Sequence, residues 1–224
     1  MAETSGTIRV LIVDDHRMFA DALRLALDGE PDVEVVGVAG GADQVDEAAR
    51  RLSPAVALVD LDTPGRDPVE IVRAVLRGAP GAAVLALLAQ QSDLLVARSV
   101  EAGAAGHLSK YEPVGAVIEL VRRAATEKDL LGPRERRRLM GRLHHRRAEQ
   151  ATAQQRADRL TARELEIMQH IANGESPVVI AATLGMSPAT LRTHVQNVIM
   201  KLGVHSKTEA LAFAIRHGKV SARS

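Results

Sequence analysis

The chain has no cysteine and no tryptophan, and only three aromatic residues, Phe19, Tyr111 and Phe213, among 224. Without thiols there is no disulfide framework, and no thiolate can hold a metal. So few aromatic rings exclude a stacking platform for single-stranded bases. No apolar run approaches the roughly 20 residues that a membrane-spanning helix needs. The N-terminus also lacks the basic-then-apolar pattern of a secretory signal. These absences point to a cytoplasmic protein with no membrane partner. At 224 residues, two small domains are the natural expectation.

The formal net charge of +1 conceals two opposite halves. Residues 1–126 carry a net charge of −7 and residues 127–224 a net charge of +8. An acidic front and a basic back suit a regulatory domain joined to a module that binds a polyanion.

In the acidic half, apolar runs at 8–13, 33–38, 55–59, 83–88 and 105–108 alternate with amphipathic stretches at 17–28, 42–52, 67–78, 92–102 and 113–126. Near-continuous apolar strands separated by helices predict a parallel sheet covered on both faces, with function at the carboxyl ends of the strands. Those ends carry chemistry. Asp14 and Asp15 follow the first strand, Asp60 closes the third, and Lys110 follows the fifth. Convergent carboxylates repel one another unless a hard cation such as Mg²⁺ joins them. A carboxylate beside Mg²⁺ can act as a nucleophile toward phosphorus, with a lysine to hold the transferred group.

Asp14-Asp15-His16, the segment Val59-Asp60-Leu61-Asp62-Thr63-Pro64-Gly65, and the segment from Gly103 to Lys110 together resemble the receiver domain of response regulators. The resemblance implies that Asp60 is the phosphoacceptor, that Asp14, Asp15 and Asp60 hold Mg²⁺, and that Lys110 contacts the phosphoryl group. A sensor histidine kinase would be the phosphoryl donor. The chain departs from that family in its readout residues. Leu88 stands where the family has a threonine or serine, His107 where it has a switching aromatic, Thr63 where methionine is usual, and Pro68 where glycine is usual. Leucine has neither donor nor acceptor to bond a phosphoryl oxygen. Two modes of control stay open: phosphorylation of Asp60 read out by another group, with His107 as one pH-sensitive candidate, or a phosphate-independent dimerisation or ligand-sensing module.

The basic half is written in caps. Thr161 to Glu164 forms a capping box, and Ser176-Pro177 and Ser187-Pro188 each place serine at N-cap and proline at N1. Ser206 to Glu209 reads as a second capping box. Four helices follow, at 162–172, 177–184, 188–202 and 207–217. Gly185 supplies a tight turn between the second and third. On the third helix Leu191, Val195, Val198 and Leu202 repeat at helical spacing, leaving Arg192, Thr193, Gln196 and Lys201 on other faces. Arginine reads guanine, glutamine reads adenine, and threonine offers a methyl to thymine.

Leu160-Thr161-x-Arg163-Glu164, Ile180-Ala181-x-x-Leu184, Thr190-x-x-x-His194-Val195 and Lys201-Leu202-Gly203-Val204 resemble the LuxR-type helix-turn-helix domain. The resemblance implies base contacts from Arg192, Thr193 and Gln196, phosphate contacts from Lys201 and Lys207, and a dimer on double-stranded promoter DNA. Pro177-Val178-Val179 departs from the polar residues usual there.

The expected architecture is a five-stranded, parallel, doubly wound α/β receiver of the flavodoxin-like kind over 1–126, a basic and partly helical solvated linker over 127–159, and an all-α four-helix helix-turn-helix domain over 160–224. The linker carries nine arginines, with Gly132-Pro133 as a break. One enzymatic alternative exists. Asp60-Leu61-Asp62 resembles the paired aspartates of Mg²⁺-dependent haloacid-dehalogenase-type phosphatases, with Asp62 as general acid. That motif opens its domain, takes threonine where Pro64 stands, and has no use for Asp14-Asp15. The chain therefore reads as a binding protein and not an enzyme. The eight histidines show no metal-ligand spacing.

Overall fold

The computed structural model describes residues 6–40, 42–62, 67–90, 92–127 and 129–221. Thr63, Pro64 and Gly65 lie outside the described residues. The chain divides into two compact units, Met1–His144 and His145–Ser224.

The first unit alternates β1 (Ile8–Val13), α1 (Arg17–Asp28), β2 (Val33–Ala39), α2 (Ala42–Leu52), β3 (Val56–Asp60), α3 (Pro68–Gly78), β4 (Ala83–Leu88), α4 (Asp93–Ala102), β5 (Gly106–Ser109) and α5 (Val114–Thr126). The strands form one sheet in the order β2-β1-β3-β4-β5, and every pairing is parallel. Side chains alternate across a strand, so β1, β3 and β4 each feed two cores. Val10, Ile12, Leu58, Leu85 and Leu87 pack with Leu23 and Leu27 of α1 and Val117 and Val121 of α5. Leu11, Val13, Val59, Val84, Ala86 and Leu88 pack with Val45 of α2, Ile71 and Val75 of α3, and Val96 and Val100 of α4. This is the doubly wound sheet that the apolar runs predict. Its strand order reverses at β1 and β3, which places the carboxyl ends of those two strands beside the crevice where such sheets work.

Pro68, noted above as a departure, is the first residue of α3, where the missing N–H costs nothing. Asp67 caps the same helix by accepting from Val69 N–H at 3.1 Å.

The stretch expected to be a solvated linker differs. It contains one unbroken helix, α6 (Pro133–Asp158). Gly132-Pro133 starts this helix instead of breaking it. Leu139 and Leu143, one helical turn apart, are buried with Leu131 in the core that holds Val96 and Val100. Several arginines of the run are paired as well: Arg136 with Asp129 at 3.0 Å, and Arg138 with Asp93 at 2.8 Å and Glu135 at 2.6 Å. The division between the two units falls inside α6, after His144.

The second unit holds the remainder of α6 with α7 (Ala162–Ala172), α8 (Pro177–Thr183), α9 (Pro188–Leu202) and α10 (Lys207–Arg216). Thr161 and Glu164 make the reciprocal capping box at α7. At α10 the pattern differs from the expected box. Ser206 accepts from Glu209 N–H at 3.1 Å, but the Glu209 carboxylate reaches back to His205 N–H at 2.9 Å instead of to Ser206. Gly185 takes φ +62°, the left-handed turn that stops α8. Among the described residues no helix is long and apolar enough to cross a membrane.

Candidate functional site

In the first unit, β1 delivers Asp14 and β3 delivers Asp60, and both carboxylates are almost wholly buried. Pairing of β1 with β3 brings them to one place, although 46 positions of sequence separate them. Lys110, just beyond β5, places its Nζ 2.8 Å from Asp14 Oδ2 and 2.9 Å from Asp60 Oδ2. Burial acts to lower the pKa of that ammonium, but its contacts with Asp14 and Asp60 outweigh burial and hold the pKa above the ordinary lysine value. The same ammonium sits 4.7 Å over the ring of Phe19. Asp60 Oδ2 is a buried oxygen with this ammonium as its close ionic neighbour.

His16 completes the cluster, a position to which sequence reasoning assigned no role. Its Nδ1 lies 3.1 Å from Asp14 Oδ1 and 3.4 Å from Asp60 Oδ2. No metal-ligand spacing marks this histidine in the sequence. Asp14, His16 and Asp60 offer ligand atoms within 4.8 Å of one another. Spacing along the chain misses this because the strand pairing makes the contact. Asp15 is exposed and is not one of those three, but it lines a depression together with Asp14, Arg17, Asp21 and Gln44.

The readout positions are equally well placed. Leu88 is buried in the core, and its carbonyl accepts from Lys110 N–H at 2.8 Å. His107 is half-buried beside a small cavity of about 190 Å³ bordered by Leu88, Ser92, Asp93, Glu135 and Arg138. Its Nδ1 is buried without a hydrogen-bond partner among the described residues. Burial pushes its pKa below the ordinary histidine value, against the opposing pull of Glu135 and Asp93. Asp62 bonds through its amide to Asp60 Oδ1 at 2.9 Å and through its carboxylate to Ala89 N–H.

In the second unit, α9 buries Leu191, Val198 and Leu202 and exposes Arg192, Thr193 and Gln196. Thr193 Oγ1 donates to Ala189 O at 3.1 Å, which occupies its hydroxyl and leaves its methyl for contact. Arg192 and the exposed Lys207 border one mostly apolar depression with Pro177, Pro188, Leu191 and Val195. Lys201 stands apart from this set. Its ammonium lies 2.7 Å from the buried carboxylate of Glu164. Arg163, beside that glutamate, donates to Leu184 O and so caps the end of α8 from α7. Val178 and Val179 are 73% and 49% exposed, so the unusual start of α8 is surface and not core.

A buried aspartate pair with a lysine at the switch point of a parallel sheet, joined to a capped helix-turn-helix with a polar outer face, defines a receiver coupled to a DNA-reading head. Comparison with known proteins agrees. Residues 10–122 match the response regulator receiver domain, and residues 158–214 match the bacterial regulatory proteins of the luxR family. The transcriptional regulatory protein LiaR of Bacillus subtilis is 32% identical over 214 residues, covering 96% of this chain and all of LiaR. The probable transcriptional regulatory protein NarL of Mycobacterium tuberculosis is 34% identical over 209 residues, covering 93% of this chain and 94% of its own. The solved receiver domain of that NarL superposes with a TM-score of 0.50 at 30% identity, covering 54% of this chain and 97% of its own. The response regulator RcsB, solved with DNA, shares the fold at a TM-score of 0.51 and 21% identity, covering 93% of this chain and 98% of its own.

The chain belongs to the response regulators that carry a luxR-family DNA-binding domain. It is a DNA-binding transcriptional regulator and not an enzyme. The phosphatase alternative built on Asp60 and Asp62 finds no support, since both halves match regulator domains and the Asp62 carboxylate is engaged with a backbone amide.

Proposed function

We propose that the protein binds double-stranded promoter DNA in the cytoplasm as a homodimer, with α9 in the major groove. The observation that carries this reading is the split character of α9: Leu191, Val198 and Leu202 are buried, while Arg192, Thr193 and Gln196 are exposed on other faces. Arg192 and Gln196 would contact base edges, Thr193 would offer its methyl, and Lys207 would bind phosphate. Lys201 is withdrawn from the phosphate set because Glu164 holds it. Two copies would engage half-sites about one helical turn apart. The test is a titration of promoter fragments against wild type and Arg192→Ala. Unchanged affinity and unchanged sequence preference in the variant would remove α9 from the groove.

We further propose that Asp60 accepts a phosphoryl group from a sensor histidine kinase. The Asp60 carboxylate would attack phosphorus, the P–N bond to the donor histidine would break, and an acyl phosphate would form, with Lys110 beside the new group. Mg²⁺ fits this pocket. Asp14 and Asp60 bring buried carboxylate oxygens within 4.8 Å of each other, and carboxylate oxygens are the ligands that Mg²⁺ prefers. Asp14 and Asp60 would hold the ion, with Asp15 reaching it from the depression it shares with Asp14, and the ion would offset the charge of the incoming phosphoryl group. Intact-mass measurement after acetyl phosphate and Mg²⁺ tests the reading, with Asp60→Ala as the control.

A further inference from the structure

The end of β4 is where an event at Asp60 has to be read, because β3 and β4 are neighbours there. Asp60 pairs with Leu87, and the Leu88 carbonyl accepts from Lys110 N–H at 2.8 Å. Leu88 itself points no hydroxyl at Asp60, since its side chain is apolar and buried in the core under α4. The first backbone donor beyond it is Ala89 N–H. That donor is already taken, by Asp62 Oδ2. The amide of the same aspartate donates to Asp60 Oδ1 at 2.9 Å. One residue therefore touches both the acceptor carboxylate and the segment that leads into α4.

We infer that Asp62 is a positioning residue, a resident anion that holds the segment after β4 through Ala89 N–H before any group is added to Asp60. The physical reason is charge. A carboxylate accepting from a backbone amide makes one of the stronger hydrogen bonds available to a protein. A phosphoryl group on Asp60 is also an anion, and it arrives next to Asp62. It cannot add a hydrogen bond to Ala89 without displacing the one present, and the two negative groups repel each other. A ligand or modification shifts a conformation only by the difference in its interactions with the two states. With the Ala89 donor filled in advance and no hydroxyl at position 88, that difference is small. The segment is thus held in the unmodified chain by a side chain, where a hydroxyl at position 88 would hold it only after modification.

This rests on Asp60 being the phosphoryl acceptor, so the test separates the two claims. The full-length chain, Asp62→Ala and Asp62→Asn are compared without and with acetyl phosphate and Mg²⁺. Intact mass reports whether Asp60 is modified, and amide exchange by NMR reports Ala89. In the unmodified proteins, Ala89 should exchange at least about tenfold faster in Asp62→Ala than in wild type, with Asp62→Asn between them because it keeps an acceptor but not the charge. On modification, wild type should stay within about twofold and Asp62→Ala should regain protection. That regained protection separates positioning from a merely structural role, which would leave the variant loose in both states. Equal Ala89 exchange in the three unmodified proteins would overturn the inference. So would a tenfold or larger gain of protection in modified wild type. Absence of added mass would instead sink the acceptor reading and leave the unmodified comparison to decide for or against Asp62.

Discussion

Lys201 on α9 and Glu164 on α7 are joined by two contacts, 2.8 and 2.7 Å from the ammonium to the two carboxylate oxygens. Glu164 Oε2 also accepts from Thr161 N–H at 2.8 Å, so the capping box of α7 and the ion pair to the reading helix share one buried carboxylate. The pair fixes α9 against the helix that starts the head.

The first prediction concerns stability. Glu164→Ala removes a reciprocal cap and a charge-assisted pair, and should destabilise the second unit by about 1–3 kcal/mol. Lys201→Gln should lower its melting temperature while leaving the salt dependence of DNA binding unchanged. The pH dependence has a definite sign. Burial would raise the Glu164 carboxyl, but hydrogen bonds from Lys201 and Thr161 outweigh it and hold the pKa below the ordinary 4.5. As pH falls the unfolded chain takes up its proton first. The stabilisation is therefore complete above pH 4.5 and is lost as pH drops through the lower folded value. Thermal unfolding of Glu164→Gln across the acid range should show a flatter limb than wild type.

The second prediction separates reading from holding on DNA. Arg192→Ala and Gln196→Ala should each cost about 1–3 kcal/mol on the preferred site and relax the choice of base there. Lys207→Ala should weaken preferred and unrelated sequences alike, and reduce the salt slope by about 1. Fluorescence anisotropy at several salt concentrations distinguishes the patterns. A loss of base preference in Lys207→Ala would reverse its assignment.

Much of this arrangement was legible in the chain because it is local. Strand alternation, the Ser-Pro starts of α8 and α9, and the Gly185 turn all lie within a few residues of the elements they shape. Asp14, Asp60 and Lys110 were legible because parallel strands deliver their ends to one edge. What was missed depends on partners far away in sequence. Lys201 reads as a free cation until Glu164, 37 residues earlier, is placed beside it. Leu139 and Leu143 give the arginine run some helical periodicity, but the core they join, which holds Val96 and Val100, comes from far earlier in the chain. Asp62, already rejected as a catalytic acid on its motif, shows no other role until Ala89 N–H is placed on its oxygen.

The third prediction weighs the two kinds of contact that α6 makes with the first unit. Arg138 and Arg142 both reach Asp93, but these side chains are exposed by a third or more. Screening by solvent limits such pairs to about 0–1 kcal/mol. Leu139 is fully buried, and truncating a buried leucine to alanine costs about 2–5 kcal/mol. Leu139→Ala should therefore lower the denaturation midpoint of the first unit far more than Asp93→Asn. If Asp93→Asn proves the more damaging, ion pairs and not burial attach α6 to this core.

The fourth prediction follows from His107. Burial is the main reason its pKa lies below the ordinary 6.5, and Arg138 adds to that, while Glu135 and Asp93 pull the other way. With Nδ1 buried and unpartnered among the described residues, the folded chain resists a second ring proton that the unfolded chain accepts freely. Unfolded molecules bind protons first as pH falls, so stability should be full above 6.5 and decline as pH drops below it. His107→Gln removes that titration and keeps a polar side chain of similar reach. Between about pH 7.5 and about pH 5.5 the melting temperature of wild type should fall more steeply than that of the variant. The other histidines are common to both proteins and cancel in the difference. Parallel curves would mean that the cavity beside Leu88 admits the imidazolium, with Glu135 and Asp93 supplying the charge that stabilises it.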